Sequence, residues 1–334
     1  MAGRGRPRNP EHLVPVAHVL QPQQMLEDWR LQTLLPATQD TGEAIRWLAI
    51  RWLATRGLLK NTQLCHVCGQ NMTVGTFNGH LDGKRWRCPG ACNITKTIRD
   101  GSWFEKSKLS LPTSILLLYF WSADFPQGLV SRELQLSRPT IIDWSNFIRE
   151  VCEEDLRLHP QQVGGLDEAT GQPIIVEIDE SKYFHRKYHR GQWRDGHWVF
   201  GGIERDSGKC FMVEVPDRSR ATLEPIVLQY ILPGSHIISD GWRAYGNLAQ
   251  VGGGIYLHDV IVHDQHFVDP NNPTIHTNNI ENTWMRAKRK LKRQFGTSEV
   301  LFPSYLAEFL WRSRYRNDQQ YYFSHLLTCI REQY

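Results

Sequence analysis

Four of the chain's seven cysteines fall into two close pairs, Cys65-His66-Val67-Cys68 and Cys88-Pro89-Gly90-Ala91-Cys92, with nineteen residues between them. No other feature restricts the local fold as tightly. A Cys-x2-Cys knuckle sets two sulfurs on one edge of a tetrahedron, and thiolates are soft ligands that suit zinc. Between the pairs, Met72 to Phe77 and Lys84 to Arg87 are β-rich, so residues 61–100 are expected to form a zinc ribbon. Cys65, Cys68, Cys88 and Cys92 complete four-coordination around a structural Zn2+, although His66 and His80 are possible substitutes. In so short a segment the metal would supply much of the folding free energy. An odd number of cysteines with this spacing argues for metal rather than a disulfide framework.

At 334 residues the chain can bury a full core and has room for two or three domains. A formal charge of +4 says little by itself, but the basic residues are unevenly spread. They crowd at Arg4, Arg6 and Arg8 and again between Arg286 and Arg293, which points to a polyanion partner. The first ten residues are polar and basic, unlike a secretory leader. The longest apolar run, Ile115 to Trp121, is too short to span a bilayer. The expectation is an intracellular protein with no membrane partner, nuclear in a eukaryotic host and cytoplasmic otherwise.

Residues 1–20 read as a flexible basic arm. Within it Gly3-Arg4-Gly5-Arg6-Pro7-Arg8 resembles an AT-hook core, whose Arg4 and Arg6 would enter a narrow minor groove. A plain basic tail or localisation signal fits those residues equally well. Residues 21–60 are expected to be helical, with Gly42 to Thr55 burying Ile45, Leu48, Trp52 and Leu53 on one face and Gly57 as the stop. Residues 101–160 suggest a helix-turn-helix: Ser131 to Leu136, a turn at Ser137-Arg138, then Pro139 to Val151. Arg138, Thr140 and Asp143 would stand at the exposed start of the second helix, facing DNA. Two packed core helices explain the same pattern.

Residues 170–334 change to a strand-rich texture. Ile174 to Asp179 is a short apolar run ending in an acid; Trp198 to Ile203 and Cys210 to Val215 read as a hairpin pair. Ala221 to Tyr230 reads as helix, His236 to Ser239 as a strand ending at Asp240-Gly241, His258 to Val262 as a fifth strand, and Asn279 to Gln294 as a long basic helix. Three antiparallel strands followed by alternating helix and strand fit an α/β, RNase H-like domain, a mixed sheet flanked by helices.

Asp179, Asp240 and Glu281 lie on separate elements, as ligands that converge on one point must. Two Mg2+ or Mn2+ ions roughly 4 Å apart, held by hard carboxylate oxygens, suit phosphoryl transfer on DNA. Each acid also has a plainer account. Asp179 could pair with Lys182, Asp240-Gly241 is a turn signal, and Asn278 with Glu281 makes a capping box. Glu177, Glu180 and Asp195 compete for single positions. At about 100° per residue Glu281, Lys288 and Lys292 share one helix face, so the lysines could bind phosphates beside the acid; a solvated basic face is the alternative.

Several of these motifs resemble those of a known family. Residues from 61 to about 315 look like a Merlin-type transposase, a eukaryotic superfamily with bacterial insertion-sequence relatives. The resemblance rests on the ribbon, Val176-Glu177-Ile178-Asp179-Glu180-Ser181, Ile238-Ser239-Asp240-Gly241, and His276-Thr277-Asn278-Asn279-Ile280-Glu281-Asn282-Thr283-Trp284, continuing to Lys288 and Gly296-Thr297. It implies that Asp179, Asp240 and Glu281 are the catalytic, metal-holding triad of an RNase H-like domain. It also implies that His276 matches a recurrent histidine near the scissile phosphate. Some relatives carry Asn at the third position, whereas this chain keeps Glu281. The expected activity is cut-and-paste transposition: binding of terminal inverted repeats by a homodimer on paired ends, strand cleavage, and joining to target DNA. The competing functions are a domesticated DNA-binding protein without transposition and a metal-dependent nuclease without strand transfer.

Overall fold

The computed structural model describes residues 9–38, 43–184, 196–261, 272, 275–293 and 297–334. Arg4, Arg6 and Asp195 lie outside them. The chain divides into two compact units, Met1–Val151 with Asn317–Tyr334, and Cys152–Arg316.

The first unit begins with helices α1 (Leu31–Thr38) and α2 (Glu43–Thr55). The buried stripe of α2 is Ala49, Ile50, Leu53 and Ala54, while Leu48, expected inside, is 45% exposed. The helical period is as expected, but the stripe is rotated, with Ala49 and Ala54 inside in place of Leu48. Gly57, at φ +71°, ends the helix as expected. Leu58 N donates to Leu53 O at 2.9 Å and Gly57 N to Ala54 O at 3.0 Å, the paired closure of a left-handed glycine stop.

Strands β1 (Thr73–Thr76), β2 (Lys84–Arg87) and β3 (Thr95–Thr97) then form an antiparallel sheet. Helices α3 (Leu111–Ser122) and α4 (Gln127–Leu134) follow, then α5 (Arg138–Leu158), whose residues from Cys152 on belong to the second unit. The expected helix-turn-helix differs in detail. Its first helix starts at Gln127 rather than Ser131, and left-handed Gln135 (φ 53°) closes it. Arg138 is the first residue of α5, not part of the turn, because Ser137 caps that helix: Ser137 Oγ accepts from Thr140 N at 3.3 Å. Helix Tyr322–Gln333, at the end of the expected 170–334 domain, belongs to this first unit. Its Phe323 packs with Trp29, Trp52 and Tyr119, ring centroids 5.6–6.3 Å away.

The second unit is built on a five-stranded mixed sheet. In chain order its elements are β4 (Val163–Gly164), β5 (Ile175–Tyr183), β6 (His197–Glu204), β7 (Cys210–Val215), α6 (Arg220–Tyr230), β8 (Ile231–Leu232), β9 (His236–Asp240), β10 (Leu257–Ile261), α7 (Asn278–Arg293) and α8 (Phe302–Arg314). The order across the sheet is β10-β9-β5-β6-β7; β5, β6 and β7 are antiparallel, while β9 and β10 run parallel to β5. β4 and β8 make a small parallel pair. This is the mixed sheet, with its three antiparallel strands first, that the sequence predicts.

Side chains alternate across the sheet. Val176, Ile178, Phe200 and Phe211 enter a core closed by Leu223 and Val227 of α6 and by Tyr245. Tyr183, Val199, Ile203 and Met212 enter another, closed by Ile280, Trp284, Ala287 and Leu291 of α7 and by Phe302 and Leu306 of α8.

Candidate active site

β5 is longer than its apolar run. It continues through Tyr183, so Asp179 lies mid-strand and not at the strand end expected for it. Glu177, Asp179 and Ser181 alternate with core residues and all face α7, so the acid at 179 does not end the strand. Each meets that helix. Glu177 Oε2 accepts from the Asn279 and Ile280 amides at 2.8 and 3.1 Å, Asp179 Oδ2 from Trp284 Nε1 at 3.0 Å, and Ser181 Oγ from Lys288 Nζ at 2.5 Å.

Asp240 is the last residue of β9, as expected, and Trp242 N donates to its Oδ1 at 2.9 Å. β9 pairs with β5 in the register Glu177↔Ile238. That is the last paired rung; the same register continued by two residues would set Asp179 beside Asp240, and Asp240 is near enough for its charge to act on Asp179. Burial pushes the Asp179 carboxyl up to about 7, and the charges of Glu180 and Asp240 push the same way. Those two acids therefore share a field that a cation would relieve.

Glu281 is exposed on the first turn of α7 and accepts from Thr277 Oγ1 at 3.3 Å. The three carboxylates do not form a closed group: they do not each bring an oxygen within 4.8 Å of the others. Asn278, expected as the cap, is the first residue of α7. The amides at that helix start go to Glu177 instead.

Glu177 is fully buried, and its Oε1 also accepts from Arg205 Nε and Nη2 at 3.0 and 2.8 Å and from Asn279 Nδ2 at 2.7 Å. With five donors on two oxygens it has no place for a metal, which removes it as a competitor. Glu180 lies on the opposite face, accepting from Tyr245 OH at 2.6 Å, with Arg218 at 4.0 Å. His276 Nδ1 is 3.4 Å from Glu177 Oε1, so its ring sits beside the helix start.

Lys292 is exposed on α7 as expected, whereas Lys288 is half-buried, with its ammonium on Ser181 and 4.9 Å from the Tyr183 ring centroid. Arg138 is exposed, and the Thr140 hydroxyl is bonded to Ser137 at 2.8 Å. Trp284, Arg205 and Gly201 were not foreseen. Gly201 pairs directly with Asp179, and a Cβ there would come within 2.7 Å of Trp284 Cη2, so its bareness makes room for the indole that holds Asp179.

In the ribbon, Cys65 and Cys92 sulfurs are 3.4 Å apart, Cys68 and Cys88 3.4 Å, Cys68 and Cys92 3.6 Å, and Cys88 and Cys92 3.1 Å. Bonds of about 2.3 Å to zinc give a tetrahedral edge of about 3.8 Å, so this thiol cage fits a zinc ion. Amide N–H groups of Cys68 and Val67 hold the Cys65 thiol down at about 6, while the crowded sulfurs push Cys88 and Cys92 up.

A mixed five-stranded sheet carrying two acids on adjacent strands, with a third on the covering helix, defines an α/β domain with a carboxylate site. Residues 163–314 match the ISXO2-like transposase domain. An uncharacterized transposase-like protein of Haemophilus influenzae is 35% identical over 104 residues, which is 31% of this chain and 80% of that protein. The chain belongs to this family of insertion-sequence transposases.

Solved structures similar to it include a simian T-cell lymphotropic virus intasome in complex with a PP2A regulatory subunit (14% identity, 59% of this chain and 67% of that one, TM-score 0.30). Another is the catalytic core domain of BIV integrase (15% identity, 42% and 81%, TM-score 0.29). Among the described residues no helix is long and apolar enough to cross a membrane.

Proposed function

We propose that this chain is a cut-and-paste DNA transposase of the Merlin type, with Asp179, Asp240 and Glu281 as its catalytic carboxylates in an RNase H-like domain. The observation that carries the reading is the placement of Asp179 and Asp240 on neighbouring strands, with Asp179 held by the helix that bears Glu281, within a transposase-family domain. These three residues would hold two Mg2+ or Mn2+ ions, which stabilise the attacking and leaving oxygens of a phosphoryl transfer. The chain's own part is positioning. Trp284 fixes the Asp179 carboxylate, the Trp242 amide fixes Asp240, and Glu177 with Arg205 fixes the start of α7.

Arg4, Arg6, Arg138, Thr140, Lys288 and Lys292 would contact the terminal inverted repeats or target DNA, His276 would neighbour the scissile phosphate, and a homodimer would hold the paired ends. The zinc ribbon is structural. In a eukaryotic host the protein would act in the nucleus, and otherwise in the cytoplasm.

The test is cleavage of end DNA with Mg2+ or Mn2+, run beside binding to the same DNA. Asp179→Asn and Asp240→Asn should lower cleavage by orders of magnitude while binding stays near wild type, since each keeps its shape and loses one anionic ligand. Near-normal cleavage by Asp240→Asn would overturn the reading.

A further inference from the structure

Immediately beyond Asp240 the second unit opens a cavity of about 520 Å³, lined by Asp217, Arg218, Ser219, Arg220, Trp242 and Arg243. The Arg218 guanidinium is stacked between two indoles, 4.1 Å from the Trp198 ring and 4.2 Å from the Trp242 ring. Trp242 is in turn tied down, its Nε1 donating to Arg218 O at 3.1 Å and its amide to Asp240 at 2.9 Å. Arg243 is exposed, lies 5.7 Å from the Trp242 ring centroid, and has no carboxylate partner among the described residues.

Carboxylates surround the cavity too, but they are turned to other work. Asp217 Oδ1 accepts from Ser219 N at 2.7 Å and Thr222 Oγ1 at 2.8 Å at the start of α6. Glu180 is buried against Tyr245, with its other oxygen 4.0 Å from Arg218 Nη1, and Glu224 sits 3.7 Å from Arg220 Nε on the flank of α6. The solvent-facing donors of the cavity are guanidiniums.

We infer that this cavity receives the sugar-phosphate backbone of a DNA strand, with Arg218, Arg220 and Arg243 contacting the phosphates next to the one held at Asp240. This rests on the proposed function for the location of the scissile phosphate, and it adds the path of the strand. Guanidiniums offer a planar fork matched to phosphate oxygens, and Arg218, already stacked, gives up little rotamer freedom on binding. Arg243, three residues after Asp240, and Arg218, stacked on Trp242, are the cations that a strand anchored at Asp240 would meet next.

The test is anisotropy-monitored binding of the full chain to end duplex and to random duplex over a salt series. Arg220→Ala and Arg243→Ala are chosen because both side chains are exposed and neither supports the core. Each should weaken both duplexes by about tenfold, and each should flatten the slope of log K against log salt by about 0.9. Arg243→Lys should restore most of the slope. Unchanged affinity and slope in the double variant would overturn the inference.

Asp240→Asn cleavage separates the two claims. Lost cleavage with unchanged binding by the arginine variants removes the strand path alone. Retained cleavage with weakened binding removes the catalytic reading and leaves a DNA-binding cavity. No measurable DNA binding by the wild-type chain removes both.

Discussion

Glu177→Gln changes one atom and should be among the most damaging substitutions in the second unit. The native carboxylate accepts five hydrogen bonds, two from Arg205, two from backbone amides of α7 and one from Asn279 Nδ2. A glutamine must turn its NH2 toward one of its two sets of donors. If it faces the helix, Asn279 N and Ile280 N lose their acceptor; if it faces Arg205, the guanidinium and Asn279 Nδ2 do. An orphaned buried donor costs about 1–3 kcal/mol, so two that relax partially should cost about 2–4 kcal/mol.

Native-state hydrogen exchange reads this locally. The amides of Asn279, Ile280 and the following turn of α7 should exchange at least about thirtyfold faster, at 1.4 kcal/mol per factor of ten. The ribbon amides should be unaffected. Because α7 carries Glu281, cleavage should fall further than DNA binding does. Exchange within about threefold of wild type would refute the claim that Glu177 holds the start of this helix.

Gly201→Ala sets a Cβ 2.7 Å from Trp284 Cη2 and 2.9 Å from Phe211 O. It should cost about 1–3 kcal/mol in urea unfolding and shift the indole N–H resonance of Trp284; an unchanged midpoint and resonance would refute the packing argument. Asp179 titrates near 7 in the fold against an ordinary 3.8, so between those values the folded chain binds more protons than the unfolded one. Stability in magnesium-free, zinc-retaining buffer should therefore fall as pH rises from about 4 to about 7 and level off above. Urea midpoints across that range should lose this slope in Asp179→Asn, and parallel profiles would sink the assignment. Metal analysis should find close to one zinc per chain, lost in Cys65→Ser together with exchange protection in β1 to β3. Full protection without zinc would mean that the ribbon folds on its core alone.

The parts of the fold legible in the sequence are those fixed by local chemistry. Cysteine spacing dictated the cage, and Asp240-Gly241 announced a strand end because a turn must follow there. Gly57 marked a helix stop because only a left-handed residue closes it cheaply. What stayed hidden depends on partners remote in sequence. Glu177 reads as one more acid in a strand until Asn279, Ile280 and Arg205 are folded onto it. Asp179 looked like a strand end because the polar residues around it are satisfied by a helix about a hundred positions later, with sequence separations of 105 to Trp284 and 107 from Ser181 to Lys288. Leu48 failed differently: periodicity gives the repeat of a buried stripe but not its phase when alanines compete with leucine for the inside.

The three rungs between β5 and α7 have a metric consequence. Along the strand they recur every two residues, at 177, 179 and 181; along the helix they recur every four, at 280, 284 and 288. Two strand residues advance about 6.6 Å and four helical residues about 6.0 Å, so the two elements act as scales of nearly equal graduation laid side by side. Such a pair has few allowed settings. Sliding α7 by one residue turns its donors about 100° away from the strand, and the next setting that returns them is about a full turn away. The coordinate of Glu281 along the sheet is thus quantised in steps of about one helical turn. Insertions or deletions of one residue between Ile280 and Lys288 should therefore behave as all-or-none losses, unlike changes of the same size in an ordinary surface helix.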